Sequence, residues 1–212
     1  MNVAFTPEPV DMYPVGFVTY VEPGGTMANA AEGASRPGHF RGVATVVHKL
    51  FQIIRPMHAY FGQKDAQQVA VISHMVADLN LSVTLRIQPT IREQDGLAMS
   101  SRNAYLEPAD RVAATILYRA LLAGQRAFKS MPDRGPAGGV TRVMQETVAN
   151  EPRATLDYAE IRDPATFLPL DTLQAPALLL IAAKVGDTRL IDNFLLRPNG
   201  IWETGRVQEK EE

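Results

Sequence analysis

Apolar residues recur along this chain at two spacings. Val43, Val46, Val47, Leu50 and Ile54 follow the i, i+3, i+4 rhythm of a helix face, predicting a helix over about 42–54. Arg55-Pro56 stops it. Ala59-Tyr60-Phe61 reads as a short strand, and Gly62 permits a turn after it. Asp65 is placed to cap a helix running to about Leu79, with Val69, Ile72, Met75, Val76 and Leu79 as its apolar stripe. Leu81, Val83, Leu85 and Ile87 then alternate with polar residues, which is the period of a strand, and Pro89 closes the unit. Strand, helix and strand of these lengths predict a βαβ crossover in a parallel sheet. Upstream, Val3-Ala4-Phe5 reads as a short buried strand ended by Pro7 and Pro9, and Phe17–Val21 as a second. Residues 22–38, rich in Gly, Ala, Pro and Ser, read as a long loop of the functional or mobile kind.

The second half has a different rhythm. A long helix starts near Pro108, with Val112, Ile116, Leu117, Ala120 and Leu121 on its apolar face. Residues 130–139 read as a loop, followed by a helix over about Val140 to Asn150. Three strands are predicted after it, at Leu156–Ile161, Ala177–Ala182 and Thr188–Asn193. Helices followed by consecutive strands are an α+β pattern. The fold class read from this order is α/β: a domain over 1–90 with a parallel sheet, then a small α+β domain over 91–200. A tail over 201–212 follows, its charged residues 203–212 expected to be disordered. No internal repeat is evident.

Length and charge narrow the function. The chain has 212 residues, and its formal net charge of −2 gives no global basic field for nucleic acid. Cysteine is absent, which excludes disulfides and thiolate chemistry. No apolar run approaches the ~20 residues of a membrane span. The start shows no basic region followed by an apolar one, so no secretory leader is expected, and the expected location is the cytoplasm.

The chemistry concentrates in three clusters. Arg92-Glu93-Gln94-Asp95-Gly96-Leu97-Ala98-Met99-Ser100-Ser101-Arg102-Asn103 lies between a predicted strand and a helix and holds two arginines and two adjacent serines. Hydroxyls beside a guanidinium supply donors to anionic oxygens, which suits a polyphosphate. Gly62-Gln63-Lys64-Asp65 sits where a strand turns into a helix, whose free N–H groups and dipole favour anions. Lys64 can neutralise charge on a phosphate there. The competing reading is a turn glycine, an exposed lysine and a helix cap. Gln67 and Gln68 open the next helix, and one of them is expected to face the crevice at the end of the strand. Ser35-Arg36-Pro37-Gly38-His39-Phe40-Arg41-Gly42 gathers donors at a helix start, either as an anion site or as plain surface charge. A nucleophilic serine ranks below phosphate binding, because no Gly-x-Ser-x-Gly elbow accompanies Ser100 and Ser101. None of the four histidines has metal-ligand spacing with another.

In this order and spacing the clusters resemble the pantothenate synthetase family. The matching stretches are Glu32–Val43, Tyr60–Gln68 and Arg92–Asn103 with Tyr105-Leu106, supported by Asp11–Pro14 and Thr188–Asn193. The likeness runs from about residue 2 to residue 196. It implies an ATP-dependent condensation of pantoate with β-alanine through pantoyl adenylate, releasing pyrophosphate and then AMP. It also implies a Rossmann-like nucleotidyltransferase domain with a C-terminal lid, Mg2+ beside the ATP, and a homodimer. By the same resemblance Gly62, Gln63, Lys64 and Asp65 line the ATP site, with Ile91, Met99, Ser100, Ser101 and Arg102. Lys64, Ser100, Ser101 and Arg102 carry the catalytic role and Gln68 holds pantoate. Arg36 and His39 match positions near the pantoate and β-alanine end. Gln63 stands where the family commonly has glutamate. The family's His-x-Gly-His motif does not occur in these 212 residues. The resemblance therefore implies an incomplete nucleotide-binding domain that is inactive by itself and either poorly stable or joined to a partner. A non-catalytic nucleotide- or partner-binding remnant is the alternative, and an adenylyltransferase acting on another acid is a third.

Overall fold

The computed structural model describes residues 3–131 and 135–208. They form two compact units, one made of residues up to Ala59 with Val71–Arg86, the other of Tyr60–Ala70 and everything from Ile87.

The first unit opens with three short helices, α1 (Pro9–Met12), α2 (Gly25–Asn29) and α3 (Glu32–Ser35), and then a long one, α4 (His39–Ile54). The two strands predicted near the start are absent. Val3 and Phe5 are 84% and 50% exposed, and residues 3–5 and 17–21 are irregular. A strand needs a neighbour for its backbone groups, and no described strand pairs with either segment. Instead Val21 donates its N–H to the Thr45 hydroxyl (3.0 Å), which itself donates to the Arg41 carbonyl (2.7 Å). Tyr13, Phe17 and Tyr20 meet edge to face. The expected long loop over 22–38 contains α2 and α3. Helix α4 is where its spacing put it, but its buried side is Phe40, Ala44 and Thr45, while Ile54 is exposed. Periodicity finds the helix and not the neighbour it meets. Arg55 closes α4 in the left-handed region, just before Pro56.

Strand β1 (His58–Gly62), helix α5 (Ala66–Asp78) and strand β2 (Thr84–Gln88) follow as predicted. Thr84 N–H donates to the Met57 carbonyl (2.9 Å), setting the starts of β1 and β2 side by side, so the pair is parallel. Asp65 does not cap α5. It ends a 3-10 turn, Gln63–Asp65, that runs straight into the helix, a common way for a helix to begin. On α5 Ile72 and Met75 are buried, while Leu79 lies just past its end and is exposed.

In the second unit, β3 (Ile91–Arg92) leads through a loop and a 3-10 turn, Ser101–Tyr105, to α6 (Pro108–Ala113), α7 (Ile116–Ser130) and α8 (Gly138–Ala149). The single long helix expected from Pro108 is broken at Ala114-Thr115, where the Thr115 hydroxyl donates to the Val112 carbonyl (2.9 Å). Such local bonds compete with the helical ladder. The break turns Ala113 and Ala114 inward and leaves Val112 exposed. Part of the loop expected over 130–139 lies outside the described residues. Strands β4 (Ala154–Arg162), β5 (Ala177–Val185), β6 (Thr188–Leu196) and β7 (Trp202–Glu203) form an antiparallel sheet in that order. Leu117 and Leu121 of α7 and Met144 of α8 join Leu179, Ile181 and Phe194 of the sheet in one core.

The charged end of the chain is ordered as far as residue 208, against the expected disorder from 203. Trp202 pairs with Leu196 and meets Phe128 edge to face. Strand β8 (Arg206–Val207) runs parallel to β3, with Arg206 N–H on the Thr90 carbonyl (2.7 Å) and Gln208 N–H on the Arg92 carbonyl (2.8 Å). Charge content predicts side-chain exposure, whereas this pairing is backbone to backbone; the expected disorder over 209–212 falls outside the described residues.

Gly205, at φ +94°, makes this approach possible: a Cβ there would lie 2.6 Å from the Thr90 carbonyl oxygen and 2.7 Å from Arg92 Nε. Gly205→Ala is expected to cost about 1–3 kcal/mol in urea unfolding and to speed tryptic cleavage after Arg206. Unchanged unfolding and cleavage would show that β8 is not held through this contact.

Candidate functional site

Arg92 organises the site without facing a ligand. Its side chain is 1% exposed. Nη1 and Nη2 bind the two carboxylate oxygens of Asp192 (2.6 and 2.9 Å), Nη1 also donates to the Gly96 carbonyl (2.9 Å), and Nε donates to the Thr204 carbonyl. The Tyr118 and Phe194 rings lie 4.8 and 5.3 Å from Cζ. The guanidinium is thus consumed within the protein, and of the two arginines in the loop Arg102 is the one that stays half-buried.

Residues 93–98 form a closed turn. Glu93 N–H bonds the Leu97 carbonyl (2.8 Å), and Gly96 N–H the Glu93 carbonyl (2.9 Å). Gly96 has φ +92°, and a Cβ there would run into the Tyr118 ring. Arg111 on α6 grips the turn from outside, reaching Asp95 (2.7 Å) and Glu93 (2.6 Å). Asn103 Nδ2 ties Glu93 (2.9 Å) to the Ala98 carbonyl (3.2 Å). The side-chain hydrogen bond from Arg111 holds the Asp95 carboxyl below its ordinary value, the Leu97 N–H adds to this, and partial burial opposes it. The same bond from Asp95, followed by that from Glu93, raises Arg111.

This turn presents the predicted ligand residues. Met99 N–H bonds the Ile91 carbonyl (2.9 Å), and both side chains are exposed beside each other at its root. Ser100 accepts the Arg102 N–H (3.2 Å) as cap of the 3-10 turn, and Ser101 is exposed. Arg102 Nη1 donates to the Arg189 carbonyl of β6 (3.3 Å).

The Gly62–Asp65 turn is seated on the same strand. Asn193, 2% exposed, donates through Nδ2 to the carbonyls of Gln63 (3.0 Å) and Lys64 (2.8 Å), and its Oδ1 accepts from Gln63 Nε2 (3.2 Å). Gly62 and Asp65 are exposed. The Lys64 ammonium lies 3.9 Å from Asp65 and its side chain keeps a fifth of its exposure. Gln67 is buried and Gln68 half-buried. Strand β6 therefore brings Gly62–Asp65 and Met99–Arg102 to one platform. Arg36 and His39 stand together in the first unit, with Arg36 Nη1 3.0 Å from His39 Nε2.

Sequence reasoning misses the platform. By their spacing Asp192 and Asn193 are only the end of a strand. A signal is present all the same, since two polar side chains in the apolar run Leu190–Leu196 must find partners if buried. No helix among the described residues is long and apolar enough to cross a membrane.

A parallel strand–helix–strand unit with a basic turn, joined to an antiparallel sheet, is a nucleotidyltransferase-type fold with a C-terminal domain. A model of the pantoate-beta-alanine ligase family matches residues 1–195. The chain belongs to that family. The pantothenate synthetase of Dehalococcoides mccartyi (strain CBDB1) is 48% identical over 196 residues, covering 92% of this chain and 72% of the relative. That of Herpetosiphon aurantiacus is 50% identical over 196 residues, covering 92% and 70%. A solved pantothenate synthetase from Thermus thermophilus matches with a TM-score of 0.86 at 44% identity, over 92% of this chain and 69% of that one. A pantoate-beta-alanine ligase from Francisella tularensis, complexed with beta-gamma ATP and beta-alanine, matches at 0.66 and 35% identity, over 88% and 61%.

Asp192→Ala strands the Arg92 charge in the interior and is expected to cost about 3–5 kcal/mol in urea unfolding; a loss near zero would show that the pair does not hold the loop. Asp95 titrates lower folded than unfolded. Its contribution to stability is thus complete above its ordinary value of 3.8 and is lost as pH falls through the lowered folded value. The difference in urea midpoint between the wild type and Asp95→Asn should be flat above that pH and shrink below it. Arg111→Leu should move the Asp95 carboxyl titration, followed by carbon-13 NMR, upward.

Proposed function

We propose that this protein condenses pantoate with β-alanine at the expense of ATP. A pantoate carboxylate oxygen attacks the α-phosphorus and forms a P–O bond. The bond from that phosphorus to the bridging oxygen breaks, and pyrophosphate leaves with the electron pair. The β-alanine amine then attacks the acyl carbon of pantoyl adenylate; a C–N bond forms, the C–O bond to AMP breaks, and the amine proton passes to solvent. The observation that carries this reading is the seating of the Lys64 turn and the Ser100–Arg102 turn on one strand. This supports a reading in which a cation, two hydroxyls and a guanidinium meet one phosphate chain. Such donors act most where charge develops in the transition state.

In this reading Gly62, Gln63, Asp65, Ile91 and Met99 line the nucleotide, and Lys64, Ser100, Ser101 and Arg102 hold its phosphates. Gln68 binds pantoate, and Arg36 and His39 serve the far end of the substrates. The ligands named for the Francisella tularensis structure support ATP and β-alanine as substrates. Among the described residues no three His, Asp or Glu side chains converge to hold a metal ion. Mg2+ would accompany ATP and lower the charge that Lys64 and Arg102 face on its phosphates. The enzyme acts in the cytoplasm as a homodimer.

Pantoate-dependent ATP–pyrophosphate exchange tests both the reaction and the expected inactivity of these 212 residues by themselves. Exchange by the chain establishes the reaction and refutes the inactivity. Exchange only when the His-x-Gly-His segment of a relative is supplied establishes both. No exchange in either form overturns the reaction in favour of a non-catalytic nucleotide-binding protein. In the active form, Lys64→Ala should lower turnover by about 100-fold or more with Michaelis constants little changed. Unchanged turnover with raised Michaelis constants would contradict a transition-state role.

A further inference from the structure

We propose that Asn193 is the positioning residue for Lys64, setting the direction in which the ammonium leaves its turn. The inference rests on the reading of Lys64 as the cation facing phosphate. Asn193 is buried in β6 beside Phe194, Leu195 and Leu196, where an amide is costly unless satisfied. Its side-chain hydrogen bonds run to residues 63 and 64: Nδ2 to two consecutive carbonyls at 3.0 and 2.8 Å, and Oδ1 to Gln63 Nε2 at 3.2 Å. Two successive carbonyls fixed by one planar group define the planes of the two peptides that flank the Lys64 Cα. A carbonyl has two lone pairs, so these bonds add to those of the turn.

The backbone that carries this side chain is itself anchored. Asn193 N–H donates to Asp192 Oδ1 (2.8 Å), and that oxygen also receives Arg92 Nη2 (2.9 Å). Two adjacent residues of one strand thus hold the Lys64 turn and the root of the loop carrying Ser100–Arg102 in a fixed relation. Asn193 touches no reacting atom in this arrangement; it acts through Lys64. Misplacing a catalytic group by ~1 Å costs about 100-fold in rate.

The test compares wild type, Asn193→Ala, Asn193→Ser (which keeps one donor), Lys64→Ala and the double variant Lys64→Ala/Asn193→Ala. Two readouts are taken: deuterium exchange of the 60–70 amides in the 212-residue chain, and kinetics in whichever form shows pyrophosphate exchange. Asn193→Ala should speed amide exchange in the Gln63–Ala66 stretch by about tenfold, with Asn193→Ser between. It should lower kcat by about tenfold or more, with each KM within about threefold, and add less than about threefold to the loss in Lys64→Ala. Unchanged amide exchange overturns the inference whether or not the protein is active. So does a kcat loss that multiplies independently with that of Lys64→Ala, or a kcat that stays at the wild-type value. Absence of turnover in every form overturns the proposed reaction alone, and amide exchange then decides the role of Asn193.

Discussion

The second unit depends on a guanidinium that has no access to water. Arg92 gathers three stretches of chain onto one group: Asp192 from β6, Gly96 from its own loop and Thr204 from the C-terminal segment. A buried ion pair gives little net stability over an apolar pair of similar volume, because desolvation offsets most of the attraction. What it does fix is geometry. A planar fork with five donors admits few arrangements of its acceptors, so the loop cannot shift without leaving a charge uncompensated. Two aromatic rings against the guanidinium narrow the choice further.

From this constraint the site divides into groups that hold and groups that are held. Arg92, Glu93, Asp95, Arg111, Asp192 and Asn193 bond to the protein itself, as does Asn103 through Nδ2. Met99, Ser101 and Lys64 are left accessible, at the ends of turns that this inner network sets. Sites built this way place their working groups on short irregular segments but draw precision from the strand beneath them. In this chain that strand is β6.

The legible part of the sequence is the part where one local period decides the structure. Leu85 and Ile87 alternate because β2 is half-buried, and the β4, β5 and β6 runs are apolar because they lie under α7 and α8. Other features depend on partners far along the chain. The break at Ala114-Thr115 interrupts an apolar period that runs on through it, and the Thr115 hydroxyl bonds the Val112 carbonyl there. The strand character of Val3–Phe5 and Phe17–Val21 follows from residue type alone, while strands exist only in pairs. Arg92 has the residue type of an anion ligand, and only its burial reveals an anchor. Lys64, Ser100 and Arg102 can be picked out because their residue types and the turns that carry them point the same way. The support beneath them cannot, because nothing local ties residue 193 to residue 63.

The pairing of β8 with β3 has a consequence for the order in which the protein is made. The Arg92 side chain meets the Thr204 carbonyl across 112 positions of sequence and Asp192 across 100. On the ribosome, the loop that carries the serines emerges long before any of these partners. Until then the Arg92 cation has no partner to neutralise it, and the segment must stay solvated. Contacts of such sequence separation form late, since the long loop must close before they return any energy. The serine loop is synthesised well ahead of the strand that seats it and is among the last parts to take shape, with the β8 segment completing it.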